Sequence, residues 1–269
     1  MAEYLTQGGL RRGGVLSTII YYFMQVAIAT VSIVVTAMSG MWIFGILLVL
    51  ASKWRVFAVN PKYWWMNIKA NLVDMTVRVG FVMLAYFAGV ELMPAHAVLA
   101  SLYVIWLLFV KPQSGSVAAE VQSLCAVFLG MTVFVTSAIL MGESGMSLDL
   151  TMSFVVVVSF IVGYGSLRHI LSQSEDYQFD LVTLGWGLLF AQMSWVLYHR
   201  VILYYLGSVI VPQMAVILTL GSFLFFRVYK SLVQHGGKVA LKDVLAPLVF
   251  VVLVIGVILI FFSDQRFSY

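Results

Sequence analysis

A long run without charge constrains the fold of this chain more than any other feature. Residues 16–52 contain no Asp, Glu, Lys or Arg. One α-helix of that length would extend about 55 Å, whereas the hydrocarbon of a bilayer is about 30 Å thick. It would also place Lys53 on the opposite side of a membrane from the pair Arg11-Arg12. Two membrane spans that turn near residues 38–40 avoid both problems, so the sequence predicts repeated crossings.

The composition indicates a single integral-membrane domain over residues 1–269. Hydrophobic residues make up 62% of the chain and charged residues only 10%, with a mean hydropathy of +1.04. A soluble domain carries about 25% charged residues, so this chain has too few for an aqueous surface. The one cysteine, Cys125, excludes an intrachain disulfide, and no Cys/His spacing predicts a metal site.

The predicted fold is an all-α, polytopic transmembrane bundle of about nine spans. An interfacial helix over about 61–72 precedes the third span and either bends or continues into it, with Asn60-Pro61 as its start signal. Gly207 and Pro212 interrupt an apolar run, so the boundary between spans seven and eight is open. The predicted spans are about 16–37, 41–58, 73–92, 95–111, 117–141, 150–170, 181–205, 209–227 and 244–262.

The basic residues predict which way the chain is oriented. With these spans, thirteen of the fifteen Lys and Arg residues fall on one side, and only Arg200 and Arg266 fall on the other. Cytoplasmic loops carry an excess of Lys and Arg, so we expect a cytoplasmic N-terminus and an external C-terminus. We expect a multi-pass protein of the plasma membrane.

A polar stripe on the third span is the main candidate site. Asn67, Asn71, Asp74 and Arg78 fall on one face of an otherwise apolar helix. Only twelve residues separate Arg78 from Glu91, which is about 18 Å of helix against about 30 Å of hydrocarbon. Ionisable groups at membrane depth usually face a bundle interior or water. The stripe therefore predicts a polar cavity with Asn71, Asp74 and Arg78 as substrate-binding residues.

Two other interpretations of the stripe stay open. It is a solvated face if the helix lies at the interface, and Asp74 and Arg78 then form an ordinary i,i+4 pair. Alternatively, a locally thinned bilayer leaves the stripe outside and buries Glu91 and His96 instead.

Three further polar residues are candidates for substrate binding. Glu120 lies near the start of span five, where the helix dipole alone accounts for a carboxylate; facing Arg78 or Arg168, it would extend the charged cluster. Gln192 and His199 share a side of span seven, where a histidine can carry protons and a glutamine can bond a neighbouring helix.

Several functional classes find no support in the sequence. It has no P-loop, no dinucleotide fingerprint, no hydrolase or zinc-protease motif and no nucleic-acid motif, so we expect neither a cofactor nor a nucleic-acid partner.

Three hypotheses follow. The leading one is a permease, or a permease-like subunit of a complex, for a small solute or lipid. The second is a structural subunit that binds partners, with anionic lipids held by Lys53, Arg55, Lys62 and Lys69. The third is a lipid-modifying enzyme that uses Asp74, Glu120, Arg168 and His169.

Overall fold

The apolar runs form nine α-helices within the part of the chain described by the computed structural model, residues 15–89, 93–172, 179–199, 202–206 and 209–261. Eight of these helices are long and apolar enough to cross a membrane, which confirms the all-α transmembrane bundle. The helices are α1 (Val15–Ser39), α2 (Trp42–Ala51), α3 (Trp64–Phe87), α4 (Met93–Ile105), α5 (Ser116–Glu143), α6 (Leu148–Leu171), α7 (Phe179–Tyr198), α8 (Gln213–Gln234) and α9 (Leu241–Phe261).

Some residues used above lie outside the described ranges: Arg11, Arg12, Glu91, Arg200, Gly207, Arg266 and, for its side chain alone, Arg55. The inside and outside assignment of the termini therefore stays a prediction from the distribution of basic residues.

In the structure, the helix of the second span is shorter than the sequence predicted. Its helix, α2, has ten residues and is about 15 Å long, half of what a bilayer requires. Beyond Ala51 the chain continues as irregular backbone with a 3₁₀ turn at Trp54–Val56. The helix ends where Ser52 and Lys53 find side-chain partners on α3, and these contacts replace further helical turns.

Residues 42–59, the broken segment, run antiparallel along α3. Gly45 of α2 lies against Val82 near the end of α3, and Ser52 accepts a hydrogen bond from Arg78. Further along, the carbonyl of Val59 accepts a hydrogen bond from the indole of Trp64, at the start of α3. Half of this passage is helix and half is irregular chain. Such backbone is tolerated at membrane depth only where it is packed against protein or lines a water-filled cavity.

The helix predicted over about 61–72 continues into the third span without a bend, which is the second of the two predicted alternatives. The side chain of Asn60 accepts a hydrogen bond from the Lys62 amide, and Pro61 opens a 3₁₀ turn that leads directly into α3. Neither proline nor glycine occurs between Trp64 and Val79, so the helix has no reason to bend there. It ends at Phe87, shortly before Gly89, whose φ of +69° a glycine adopts without strain.

The central helix α5 joins two apolar cores. Its Ala126 and Val133 pack with buried residues of α1, α3 and α4, whereas Val127, Met131 and Val135 pack with residues of α6, α7 and α8. The candidate site belongs to the first of these halves, next to the broken segment.

The predicted boundary between spans seven and eight is a β-hairpin. Strand β1 (Leu203–Leu206) pairs antiparallel with β2 (Val209–Pro212), with Leu203 opposite Pro212. Spans drawn over 181–205 and 209–227 were therefore wrong at this junction: α7 ends at Tyr198 and α8 begins at Gln213. The β-branched residues of β2 favour a strand, and Pro212 fits the residue before a helix.

Candidate functional site

The polar stripe of α3 faces the broken segment. The amide oxygen of Asn71 accepts a hydrogen bond from Lys53 Nζ at 2.7 Å. The amide nitrogen of Asn67 donates to the carbonyl of Val56 at 3.4 Å. The stripe therefore supplies hydrogen-bond partners for the Lys53 side chain and for the Val56 carbonyl, which lie outside any α-helix. These contacts hold the irregular chain in place.

Asp74 is the centre of a charged cluster that we call the Asp74 cluster, formed with Lys53, Arg78 and Lys111. Its Oδ2 atom contacts Lys53 Nζ and lies 3.0 Å from Arg78 Nε and 3.3 Å from Lys111 Nζ. Its Oδ1 atom accepts a hydrogen bond from Trp106 Nε1 at 3.2 Å. Both oxygens of the carboxylate are thus engaged within the protein.

A close helix contact positions Lys53. A Cβ atom on Gly45 would lie 2.1 Å from Thr36 Oγ1 and 2.7 Å from Val82 Cγ1, so only glycine fits between α1 and α3. This close packing sets the end of α2 beside Arg78, whose Nη1 donates to Ser52 Oγ at 3.0 Å.

A π-helical turn positions Lys111 and Trp106. Residues Trp106–Val110 continue α4 as a π-helix, and the Lys111 amide donates to the Trp106 carbonyl at 2.8 Å. In an α-helix, residues five apart point about 140° away from each other. The wider turn brings them to the same side, so both side chains contact Asp74.

The cluster lies at membrane depth if α3 crosses the bilayer. The helix has 24 residues, about 36 Å, so it exceeds the hydrocarbon thickness by about 6 Å. Asp74 lies about 15 Å from its start and Arg78 about 14 Å from its end. Arg78 is buried, with 2% of its surface exposed. Charges at this depth are costly unless they meet partners or water.

A cavity of about 340 Å³ opens beside the cluster. Lys53, Arg78 and Lys111 line it, and Asp74 lies behind them. The other polar lining residues are neutral: Gln25, Ser52, Asn67 and Asn71. Among the described residues, no carboxylate lines this cavity.

Glu120 belongs to a different site. Its Oε1 atom lies 3.0 Å from Arg227 Nε of α8. The sequence left open whether Glu120 faces Arg78 or Arg168. Among the described residues neither arginine forms an ion pair with Glu120, and Arg168 pairs with Asp180 at 3.2 Å. Arg227 is far along the chain, and sequence periodicity gives no information on such long-range pairing.

Gln192 and His199 also lie away from the Asp74 cluster. Gln192 is exposed on α7. His199 is exposed just after the end of that helix, and its Nδ1 atom lies 2.7 Å from the carbonyl oxygen of Trp195, one turn earlier. Neither residue lines the cavity. The structure therefore brings together three of the six predicted binding residues, Asn71, Asp74 and Arg78, and places the other three elsewhere.

The four residues of the enzyme hypothesis have four different sets of partners. Asp74 and Glu120 pair as described, Arg168 pairs with Asp180, and His169 Nε2 lies 2.6 Å from Gln122 Oε1. The Gln122 amide nitrogen donates to the carbonyl of Val110 at 2.8 Å, which anchors the turn after α4. These contacts account for His169 as a structural residue.

Sequence reasoning missed Lys53, Trp106 and Lys111 as parts of the site. Lys53 was assigned to an anionic-lipid surface, but its side chain is only 12% exposed and contacts Asp74. Lys62 is exposed and Lys69 half-buried, and their assignment to an anionic-lipid surface stays a prediction. The one available signal in the sequence was the uncharged run that ends just before Lys53, because a span that ends there places the lysine beside the next helix.

Within the described part of the chain, no three His, Cys, Asp or Glu side chains come together as metal ligands would. Comparisons with protein-family models, with curated proteins and with solved structures find no match for this chain. The function is therefore inferred from the geometry of the site itself.

Proposed function

We propose that the protein is a membrane permease, or the permease-like subunit of a larger assembly, with its solute pathway through the cavity beside the broken segment. One observation carries this proposal: a half-length helix ends at a charged, polar-lined cavity within the thickness of a helical membrane bundle. Interrupted helices and ionisable residues at membrane depth are features of solute and ion pathways.

A purely structural subunit would not require this arrangement. Burying four charged side chains costs several kcal/mol per ion before pairing, and apolar residues of similar volume would pack at least as well. Irregular backbone at membrane depth carries a similar cost. We propose that the cavity opens to the cytoplasmic side of the plasma membrane, since the basic residues predict that the start of α3 is cytoplasmic.

The first test measures whether water reaches the cavity. Asn67→Cys is made in a Cys125→Ala background, which removes the one native thiol. A membrane-impermeant thiol reagent should label this cysteine in sealed vesicles from one side only. The control, Val257→Cys, lies on the outer face of α9, 48% exposed toward the lipid region, and should not react.

The second test measures transport. The purified chain is reconstituted into proteoliposomes, and uptake and efflux are followed for a panel of anionic, cationic and neutral solutes. We expect flux of at least one solute, and we expect thiol labelling at Asn67→Cys to reduce it more than tenfold. Absence of any flux, together with stable capture of a partner that requires no solute, would favour the structural subunit instead.

A further inference from the structure

We propose that the cavity beside the broken segment binds a small oxyanion, a phosphate or carboxylate group, held by Lys53, Arg78 and Lys111. This names the substrate class of the proposed permease and rests on that proposal for the transport step alone. Asp74 is a positioning residue: it holds the three cations at the cavity wall and does not contact the anion.

Charge balance is the main argument. The Asp74 cluster contains three cationic groups and one carboxylate, an excess of two positive charges. Excess charge away from bulk water is costly, and an isolated buried charge normally acquires a partner. No other carboxylate among the described residues lines the cavity, so none of them neutralises this excess, and a bound anion would do so.

Helix dipoles offset part of the excess. Helix α2 ends at Ala51, beside the cluster, and the π-helical turn ends at Val110, just before Lys111. Each helix C-terminus carries roughly half a negative charge. About one positive charge is left, so the site attracts a small oxyanion, whether monovalent such as acetate or divalent such as sulfate.

The hydrogen-bonding groups of the cavity wall also suit an oxyanion. Each lysine ammonium has three N–H donors and the guanidinium has five, more than the carboxylate of Asp74 and its neighbours accept. The side-chain amides of Gln25 and Asn67, which also line the cavity, can donate as well. A cation would meet the wrong charge.

The volume limits the size of the bound group. A cavity of about 340 Å³ equals the volume that about eleven water molecules occupy in the liquid, which is at the small end of the range for ligand sites. It holds a small solute or the headgroup of a lipid, and both present the same oxyanion chemistry. The test therefore separates these two sources.

Binding is measured by calorimetric titration of sodium sulfate and, separately, sodium phosphate and sodium acetate, into the chain in phosphatidylcholine nanodiscs in chloride-free HEPES. We expect saturable binding of at least one of these probes. Lys53→Gln and Lys111→Gln should weaken it more than tenfold, and Lys111→Arg, which keeps the charge, should stay within threefold of the native chain.

The matched control is Lys62→Gln, which removes an exposed lysine that contacts the Tyr63 ring and does not line the cavity. It should leave the affinity within twofold of the native value. Circular dichroism and gel filtration of every variant separate loss of the site from loss of the fold. Should both lysine-to-glutamine variants misfold, Lys111→Arg and Asn71→Leu provide the comparison, with retained and weakened binding respectively.

A second set of nanodiscs contains phosphatidylglycerol. A headgroup in the cavity would weaken probe binding more than tenfold relative to phosphatidylcholine alone, and a soluble anion would leave it within threefold; either result supports the oxyanion site. Absence of saturable binding in phosphatidylcholine nanodiscs, or equal affinity after Lys111→Gln, would overturn it. Binding without flux would refute the permease alone, and flux without anion binding would refute the oxyanion site alone.

Discussion

Among the described residues, Asp74 and Glu120 are two carboxylates of low exposure that lie in very different surroundings. Asp74 and Glu120 have similarly low side-chain exposures of 13% and 8%. Asp74 is shared by three cations beside a polar cavity, whereas Glu120 pairs with the single cation Arg227. The Glu120–Arg227 pair is balanced, and Arg227 is also 36% exposed to its surroundings.

The comparison shows that burial alone does not distinguish a binding site from a structural ion pair. A balanced pair satisfies itself and needs nothing else. The Asp74 cluster keeps positive charge that its own residues do not neutralise, so its ratio of charges, and not its depth, indicates a ligand. Three changes test this difference, in order of decreasing expected size.

Replacing Asp74 should have the largest effect. Asp74→Asn leaves three cations without their carboxylate, and removing one partner of a buried ion pair costs about 3–5 kcal/mol of unfolding free energy. Denaturant titration in detergent micelles, followed by tryptophan fluorescence, measures this loss. Combining Asp74→Asn with Lys111→Gln should recover part of it. Equal losses for Asp74→Asn and Glu120→Gln would remove the distinction between the two sites.

Displacing α2 should affect the Asp74 cluster and spare the Glu120 pair. Gly45→Ala adds a Cβ that would lie 2.7 Å from Val82 Cγ1 of α3 and closer still to Thr36 Oγ1 of α1, so α2 has to move away from both helices. We expect about 1–3 kcal/mol of destabilisation, typical of overpacking, and at least tenfold weaker sulfate binding. The control Gly256→Ala meets no atom within 4 Å and should be neutral. Unchanged sulfate affinity in Gly45→Ala would show that α2 does not position Lys53.

Removing Glu120 should have the smallest effect. In Glu120→Gln, Arg227 keeps its exposure and its contact with the Phe223 ring, 5.3 Å from the ring centroid. We expect no more than about 1 kcal/mol of destabilisation, as for partly exposed ion pairs, and sulfate affinity within twofold of the native chain. A tenfold change in sulfate affinity would mean that Glu120 belongs to the anion site.

The sequence predicted the long helices well because their apolar lengths match a bilayer. Helices α5, α6 and α9 begin and end within a few residues of the predicted spans. It failed where the backbone departs from regular α-helix: at the end of α2, at the π-helical turn and at the hairpin of β1 and β2. Each departure depends on tertiary contacts, such as Ser52 with Arg78, that hydrophobic periodicity does not encode.

For the candidate site, the sequence predicted one wall and missed the others. Asn67, Asn71 and Arg78 share a helix face and line the cavity together, which follows from helical periodicity. Lys53 and Lys111 come from separate segments, and their positions next to predicted span ends are typical of residues at a membrane surface. Only the packing of α2 and the π-helical turn explains why both contact Asp74.

The oxyanion site is tested most sharply with a crystal of the chain that is soaked in sodium selenate, with data collected at the selenium absorption edge. The uncompensated positive charge predicts an anomalous peak in the cavity, within about 4 Å of the nitrogen atoms of Lys53, Arg78 and Lys111, the contact distance of an ion pair. It also predicts no such peak at the Glu120–Arg227 pair. A cavity that contains only water, with Lys111 turned away from Asp74, would contradict the account.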